Sequence, residues 1–439
     1  MAIDRRELLA GAGILALAAP AALRAVQPVP AHAPPAPPGP PPPPTADQLR
    51  RERIAAAAAA NRQRLAYDGG TFAGPGWETL VARGRAAQFF LLGEEHGIAE
   101  NPKLAAQLFT TLAPAGYSRV AIEISGPMAT AFDDALTEGG ADALNRMLTA
   151  PESRVAFFGM REEAAWLAAA RRAVPRGRFL WGTDYETAAD RHLLAILRAK
   201  RKPAAAEAAL ARLEAASAAG WARYEATHDL LQIPAFSGDP ALVQAVREAW
   251  PQPDAEADRV LDTLAETFAI NRLWAERRGW ESNERRGAFM RANFLRHWRA
   301  EKSAGRAPKV FLKYGASHMV RGRNHTETFD LGSLLPEIAA LEGGHAFHLL
   351  VLPGAGSPLA SIDPATFTYT SSNEQGTYVT DLEPILSQAY PDAMTLFDTH
   401  ALRPLLGSSR TPATADLMRA VHGFDAILVM TGSTASSNL

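Results

Sequence analysis

Short apolar runs alternate with helix-type patterns along most of the chain. Most of these runs are continuously apolar rather than alternating, which is typical of strands covered on both faces of a sheet. The stretches between them repeat apolar residues at the spacing of an amphipathic helix. The predicted strands are Ala87 to Leu92, Arg119 to Ile124, Arg178 to Gly182, Lys309 to Tyr314, His345 to Leu352 and Ala426 to Met430. The predicted helices include Asp47 to Leu65, Lys103 to Ala113, Glu162 to Val174 and Ala188 to Lys200.

This alternation predicts an α/β fold with a mainly parallel central sheet flanked by helices. From about Thr187 to Arg306 every segment has a helical pattern and no strand is predicted. We therefore expect one α/β domain over 47–439, with a large helical insertion at 187–306 that covers one edge of the core. Ser357 to Gln388 is predicted to be loop with one short β element.

The N-terminus has the pattern of a processing segment. Arg5 and Arg6 precede an apolar run that ends near a small-x-small cleavage candidate at Ala31 to Ala33. Paired arginines before such a run resemble the twin-arginine signal, which predicts an export signal over 1–33 and transport of the folded protein to a bacterial periplasm. A proline-rich stretch then predicts an extended linker over 34–46.

Composition excludes several classes of function. The chain has 45 Lys and Arg against 47 Asp and Glu, so there is no basic excess for a nucleic-acid partner. It has no cysteine, which rules out disulfides, thiolate metal sites and cysteine nucleophiles. The sequence sets no oligomeric state.

Polar clusters follow the predicted strands at the points where they end. The clusters are centred on Glu94 and His96, on Glu123, on Asp184, and on His318. Because the carboxyl ends of parallel strands open into one crevice, we expect all four clusters to face the same cavity.

Glu94 and His96 carry the candidate chemistry. A glutamate beside a histidine raises the pKa of the imidazole and orients one ring nitrogen, which leaves the other nitrogen as a general base. A solvated turn is the alternative for such a tripeptide, but the buried strand and the flanking glycines favour a functional site. Arg321, three residues after His318, is a candidate positive charge for a developing oxyanion, or else a solvated surface arginine.

The chain lacks the common nucleophile and nucleotide motifs. No Gly-x-Ser-x-Gly elbow, Walker loop, Gly-x-Gly-x-x-Gly or His-Glu-x-x-His motif occurs. Directly activated water is therefore the expected nucleophile.

An ordered set of short motifs resembles the erythromycin esterase family over roughly Gln88 to Thr431. The set comprises Gly93-Glu94-Glu95-His96-Gly97 with Glu100, the strand ending in Glu123, Arg286 with Met290 and Asn293, the His318 loop, Asp330 to Leu334, and Phe424 to Ile427.

The resemblance implies a metal-independent hydrolase that opens an ester or lactone with water activated by a histidine. It implies that His96 is the base, Glu94 and Glu123 its carboxylate partners, and His318 the second histidine of the site. The substrate-binding candidates are Glu95, Glu100, Asp184, Arg286, Asn293 and Arg321. One residue separates Glu94 from His96, where the family usually has two, and the basic residue expected a few positions later has no clear counterpart.

Other functions remain open at this stage. The tight Glu-x-His and the second histidine loop also resemble the ChaN and TIKI group, which includes haem-binding lipoproteins and metal-dependent proteases. The primary expectation is an exported ester hydrolase without a cofactor, acting on a small-molecule ester. The alternatives are a periplasmic protein that binds haem or a divalent metal, and a binding module without turnover.

Overall fold

The computed structural model describes residues 43–373, 378–407 and 412–439. The predicted export signal and all but the last four residues of the predicted linker lie outside these ranges. Within them no helix is long and apolar enough to cross a membrane.

Eleven strands occur in the described ranges. They are β1 (Arg62–Tyr67), β2 (Phe72–Ala73), β3 (Phe89–Glu94), β4 (Tyr117–Ser125), β5 (Leu180–Asp184), β6 (Lys309–Gly315), β7 (Ala346–Pro353), β8 (Leu359–Asp363), β9 (Thr368–Ser372), β10 (Met394–Asp398) and β11 (Ala426–Met430). The six predicted strands are all among them, with ends that differ by two residues at most.

The α-helices of the described ranges connect and cover the strands. They are α1 (Ala46–Asn61), α2 (Pro75–Ala86), α3 (Glu100–Leu112), α4 (Gly126–Thr149), α5 (Arg161–Ala173), α6 (Asp190–Ala199), α7 (Ala204–Thr227), α8 (Pro234–Ser237), α9 (Pro240–Ala249), α10 (Ala255–Ala275), α11 (Gly279–Ser303), α12 (Ala316–Met319), α13 (Leu331–Leu341), α14 (Tyr378–Leu386) and α15 (Ala415–Gly423). Helices α6 to α11 fill the stretch between β5 and β6 without a strand.

One nine-stranded sheet has the order β2-β1-β10-β11-β7-β3-β6-β4-β5. The six strands from β11 to β5 are parallel, and β10, β1 and β2 extend the other end in antiparallel pairs. The predicted mainly parallel sheet flanked by helices is therefore confirmed. The segment after β7 differs from the prediction, because it contains the β8-β9 hairpin and helix α14 rather than loop with a single β element.

Two apolar layers bury the sheet from both sides. Alternate residues of β3 point to opposite layers, so Phe90 and Leu92 belong to one layer while Phe89 and Leu91 belong to the other. A strand covered on both faces needs apolar residues at consecutive positions, which accounts for the continuous runs in the sequence.

Candidate active site

The carboxyl ends of β3, β6, β4 and β5 lie side by side, because these strands are consecutive neighbours in the sheet. In the register of β3 and β6, Glu94 is opposite Gly315. Glu123 lies near the end of β4, and Asp184 is the last residue of β5. The structure thus brings the four predicted clusters together at the carboxyl ends of the parallel strands.

His96 is held between two carboxylates. Its Nδ1 lies 3.0 Å from Glu94 Oε1 in a hydrogen bond. Its Nε2 lies 3.4 Å from Glu123 Oε2, a contact whose geometry is not that of a hydrogen bond, and this buried nitrogen has no other partner among the described residues. Nε2 is therefore the ring nitrogen without a hydrogen bond, and it faces the Glu123 carboxylate.

The two carboxylates favour the protonated form of His96. Burial alone would lower the pKa of the imidazole, but Glu123 and Glu94 raise the pKa of His96 to about 9. His96 is therefore cationic at neutral pH and gains its basic form only as the pH approaches 9. A raised pKa was expected from the neighbouring glutamate, and the second carboxylate, Glu123, adds to the effect and restricts the base role further.

Glu123 lies between the two histidines. It accepts hydrogen bonds of 2.8 Å from Gly315 N and from Arg286 Nη2. His318 Nε2 lies 3.3 Å from its Oε1. Burial would raise the pKa of Glu123, but the charge and hydrogen bonding of His318 and His96 hold it well below the usual value. Glu123 is consequently an anion that fixes the relative positions of both imidazoles.

His318 is anchored on its other side by Asp330. The Nδ1 of His318 lies 2.6 Å from Asp330 Oδ2, and Oδ1 of the same carboxylate accepts 2.7 Å from Leu331 N at the start of α13. Burial would lower the pKa of His318, yet Glu123 and Asp330 raise it to about 10. His318 therefore carries a positive charge over the range in which His96 loses its proton.

Helix α11 supplies Arg286, which binds two carboxylates of the site. Arg286 binds Asp184 through Nε at 3.1 Å and Nη2 at 2.5 Å, in addition to its bond to Glu123. Two turns further along, Asn293 Nδ2 donates to Thr183 O at 2.8 Å. Arg286 and Asp184 thus lie beside Glu123, while Asn293 fixes α11 against the end of β5.

A buried lysine, Lys313, forms an ion pair with Glu94. Lys313 Nζ donates 2.7 Å hydrogen bonds to Glu94 Oε1 and to Glu163 Oε1. Burial raises the pKa of Glu94, but Lys313 and His96 outweigh that effect and lower it. Neither Lys313 nor Glu163 is among the predicted site residues, although a lysine in the middle of an apolar strand is a visible signal.

Phe157 covers the exposed side of His96. The two rings stack with centroids 3.9 Å apart and an interplanar angle of 11°. Phe157 has a φ of 64°, unusual for a residue with a side chain, and its amide donates 2.8 Å to Tyr369 Oη. This residue was also missed, because nothing in a loop sequence indicates which ring it will cover.

A cavity of about 260 Å³ lies beyond Phe157. Phe157 and Arg286 form the wall that it shares with the cluster of ionised residues. Most of the remaining lining is apolar or aromatic, including Phe236, Trp274 and Phe367. The arrangement places an apolar compartment next to a compact set of ionised groups, as in many small-molecule sites.

The other predicted substrate-binding residues lie around or outside this cluster. Glu95 is buried and borders a separate cavity with Ala316 and Ser317. Glu100 accepts hydrogen bonds from Thr434 N and Oγ1, so it fixes the C-terminal segment.

Arg321 does not lie with His318, despite its proximity in sequence. It forms a two-point ion pair with Asp425, which precedes β11, at 3.2 and 2.8 Å. Asp425 also accepts a hydrogen bond of 3.0 Å from His348 N in β7, so this ion pair fixes Arg321 beside β7 and β11. The prediction that Arg321 faces a developing oxyanion is not supported by this placement.

Within residues 43–373, 378–407 and 412–439, no group of three or more histidine or acidic side chains is arranged to hold a metal ion.

Comparisons with known proteins show the fold. No family model matches the chain, and no curated protein matches it. Among solved structures, a mutant of the erythromycin esterase EreC in its open conformation matches with a TM-score of 0.58 and 15% identity, covering 86% of this chain and 99% of that chain. A succinoglycan biosynthesis protein has a TM-score of 0.54 and 12% identity, covering 89% of this chain and 99% of that chain. A protein from Bacillus cereus has a TM-score of 0.51 and 12% identity, with coverage of 89% and 99%. The chain therefore has the fold of erythromycin esterase, as the motif resemblance implied.

Proposed function

We propose that this chain, which has the fold of erythromycin esterase, is a hydrolase that cleaves an ester or lactone with water activated by His96. The observation that carries the proposal is the Nε2 of His96, buried and without a hydrogen-bond partner in the described residues, while Nδ1 is held by Glu94 at 3.0 Å. In this proposal Nδ1 fixes the ring, and Nε2, which has no hydrogen bond, is the nitrogen that accepts a proton from water.

The reaction follows from the charges around this nitrogen. Neutral His96 takes a proton from water through Nε2, and the water oxygen forms a bond to the ester carbonyl carbon. The carbonyl oxygen becomes an oxyanion, which the His318 imidazolium stabilises. When the tetrahedral intermediate collapses, the carbon–oxygen bond to the alcohol breaks and His96 returns the proton to the leaving alkoxide.

The cavity beside Phe157 supports a substrate with an apolar part. Its volume of about 260 Å³ and its aromatic lining suit an ester that carries a ring or a branched hydrocarbon group. The ester group would lie at the Phe157 end, since that wall adjoins His96.

The test is a survey of esters and lactones with the purified chain and its His96→Asn variant. We expect hydrolysis by the wild type and a loss of kcat of about 10² to 10⁴-fold in the variant, because that is the usual contribution of a general base. Absorbance spectroscopy and elemental analysis of the same preparation measure bound haem and metal. Stoichiometric haem or metal together with no turnover dependent on His96 would contradict the proposal in favour of a binding protein.

Export belongs to the same proposal and is tested separately. Paired arginines before the apolar run support transport by the twin-arginine machinery to the periplasm. We expect the wild-type chain in the periplasmic fraction and an Arg5→Lys, Arg6→Lys double variant retained in the cytoplasm. Equal periplasmic amounts of both chains would contradict this route.

A further inference from the structure

A line of buried hydrogen bonds leads from His96 to helix α5. Glu94 Oε1 lies 3.0 Å from His96 Nδ1 and accepts a 2.7 Å hydrogen bond from Lys313 Nζ. The same ammonium group donates to Glu163 Oε1 at 2.7 Å, and Trp166 Nε1 donates to Glu163 Oε2 at 2.8 Å. Charges of alternating sign therefore extend from the proposed base to a glutamate of α5 that no step of the proposed reaction uses.

One oxygen of Glu94 serves both of its partners. Lys313 and His96 contact Oε1, whereas the buried Oε2 has no hydrogen-bond partner in the described residues. The positive charge of an ammonium group beside a carboxylate reduces the attraction of that carboxylate for an imidazolium. Lys313 therefore competes with His96 for Glu94, and a second acceptor for the ammonium group limits this competition.

Glu163 is that second acceptor, and its partners favour its ionised form. A lysine ammonium and the indole N–H of a tryptophan only donate, so each oxygen of Glu163 accepts a hydrogen bond. Burial and the charge of Glu94 raise the pKa of Glu163, while Lys313 and Trp166 counteract part of this rise. The contact of Glu163 with Lys313 is thus an ion pair, in which the side chains are 4% and 5% exposed.

The titratable groups at the two ends of this line are on different elements. His96 faces Glu94 of β3 and Glu123 of β4. At the other end, Tyr369 of β9 lies near Glu163; burial raises the pKa of Tyr369 and the charge of Glu163 adds to the rise, so the phenol is neutral. A change of charge at Glu163 therefore acts on His96 through the buried ion pairs between them.

We propose that Glu163 is a positioning residue, which engages Lys313 and so leaves the Glu94 oxygen to the proposed base. This role rests on the proposed function, because Glu163 acts through His96. In water a charge at this distance would be screened, but between buried side chains its effect is retained. The carboxylate of Glu163 therefore strengthens the bond of Glu94 to His96 and favours the imidazolium form.

The test is the pKa of the His96 imidazole, measured by NMR of the full chain with ¹⁵N-labelled histidine. Glu163→Gln removes the charge that opposes Lys313, so the pKa of His96 should fall by about 0.5 or more. The spectrum of His96→Asn assigns the signal. For an ester that the chain hydrolyses, the rise of kcat/KM with pH should move to lower pH by the same amount. A purely structural role would lower kcat/KM without moving this rise.

Two further variants make the result specific. Glu162→Gln removes the same charge from the preceding residue, whose carboxylate contacts Ser437 N at 3.1 Å, so the pKa of His96 should stay at the wild-type value. Glu163→Asp keeps the charge but draws the carboxylate back from Lys313 by one methylene, and should lower the pKa by a smaller amount. This variant tests the proposal if Glu163→Gln does not fold, which circular dichroism checks.

The NMR measurement needs no substrate, so it separates the role of Glu163 from the hydrolase reaction. A lowered pKa of His96 in a chain that hydrolyses no ester would contradict the hydrolase alone. An unchanged or higher pKa of His96 in the folded Glu163 variants, or an equal fall in Glu162→Gln, would overturn the role of Glu163.

Discussion

Glu94 is the last residue of β3, and His96 lies in the turn that follows it. The turn brings the two side chains together in a hydrogen bond of 3.0 Å. The bond fixes one ring nitrogen and directs the other toward Glu123. The orientation of the proposed base is therefore set by one short stretch of chain.

Glu94→Gln tests this orientation at the level of one residue. The amide lacks the negative charge that helps to raise the pKa of His96, so the kinetic pKa should fall below the wild-type value of about 9. We also expect kcat to fall by about tenfold or more, because a mispositioned base transfers a proton less efficiently. A pH series of kcat/KM measures both effects, and Glu337→Gln on the exposed face of α13 is the control. An unchanged kinetic pKa would show that Glu94 does not act on His96.

Lys313 makes a second prediction at the residue scale. Its ammonium is buried between Glu94 and Glu163, so Lys313→Met would leave Glu163 without its cation and Glu94 with His96 alone. Breaking a buried ion pair in this way costs about 3–5 kcal/mol. Lys302→Met, which removes a more exposed pair with Glu342, should change stability by about 1 kcal/mol or less. Urea denaturation measures both, and equal stabilities of the two variants would contradict the proposed support of Glu94.

At the scale of elements, Gly315 at the end of β6 leaves space for His96 and Glu123 to approach the strand closely. A Cβ on Gly315 would lie 2.9 Å from His96 Nε2 and 3.4 Å from Glu123 Oε2. The backbone of Gly315, at φ −53° and ψ 140°, is one that alanine adopts without strain. The glycine is therefore required by space at the site and not by backbone conformation.

Gly315→Ala should reduce activity while the chain remains folded. Displacing His96 by the added methyl group is expected to lower kcat/KM by about 10²-fold, a usual cost for misplacing a catalytic group. Gly279→Ala at the start of α11 is the matched control, since its added methyl group meets nothing within 4 Å. Wild-type kcat/KM in Gly315→Ala would contradict the position assigned to His96.

The strands that could be predicted from sequence are those buried on both faces. β3, β6 and β11 have the continuous apolar runs that this environment selects. The prediction of a helix to Leu65 was wrong, because α1 ends at Asn61 and β1 begins at Arg62; only Leu65 of the six residues of β1 is buried, so the strand has no visible pattern. β10 was missed because five apolar-rich residues do not distinguish a strand from a helix segment.

The site likewise contains contacts that the sequence predicts and contacts that it does not. The pairing of Glu94 with His96 follows from their proximity in sequence. The carboxyl ends of β3, β4, β5 and β6 lie together because these strands are parallel neighbours. The contact of Lys313 with Glu163 joins residues 150 positions apart, and the stacking of Phe157 on His96 depends on the path of a loop. Neither contact has a local sequence pattern that would predict it.

At the scale of the whole molecule, the buried ionised groups make stability depend on pH. His96 and His318 have pKa values raised to about 9 and about 10 from the ordinary 6.5. Such groups stabilise the fold fully below about pH 6.5, and this contribution is lost as the pH rises through their folded pKa values. Glu123 has the opposite sign, because its pKa is lowered and its contribution is lost in acid.

We therefore expect the free energy of unfolding to fall between pH 6.5 and pH 9.5. Urea denaturation at several pH values measures this slope, and His318→Gln should have a flatter one because it lacks the group with the higher pKa. Identical slopes for the wild type and His318→Gln would show that the His318 charge is not linked to folding.

The most direct test of the account is the pH dependence of kcat/KM for an ester that the wild-type chain hydrolyses. If neutral His96 is the base, log kcat/KM rises with a slope of one through neutral pH and levels near pH 9, where the imidazole loses its proton. His96→Asn should have low activity without this rise. A rate that is independent of pH between 6 and 9, or a rise that persists in His96→Asn, would contradict the assignment of His96 as the residue that activates water.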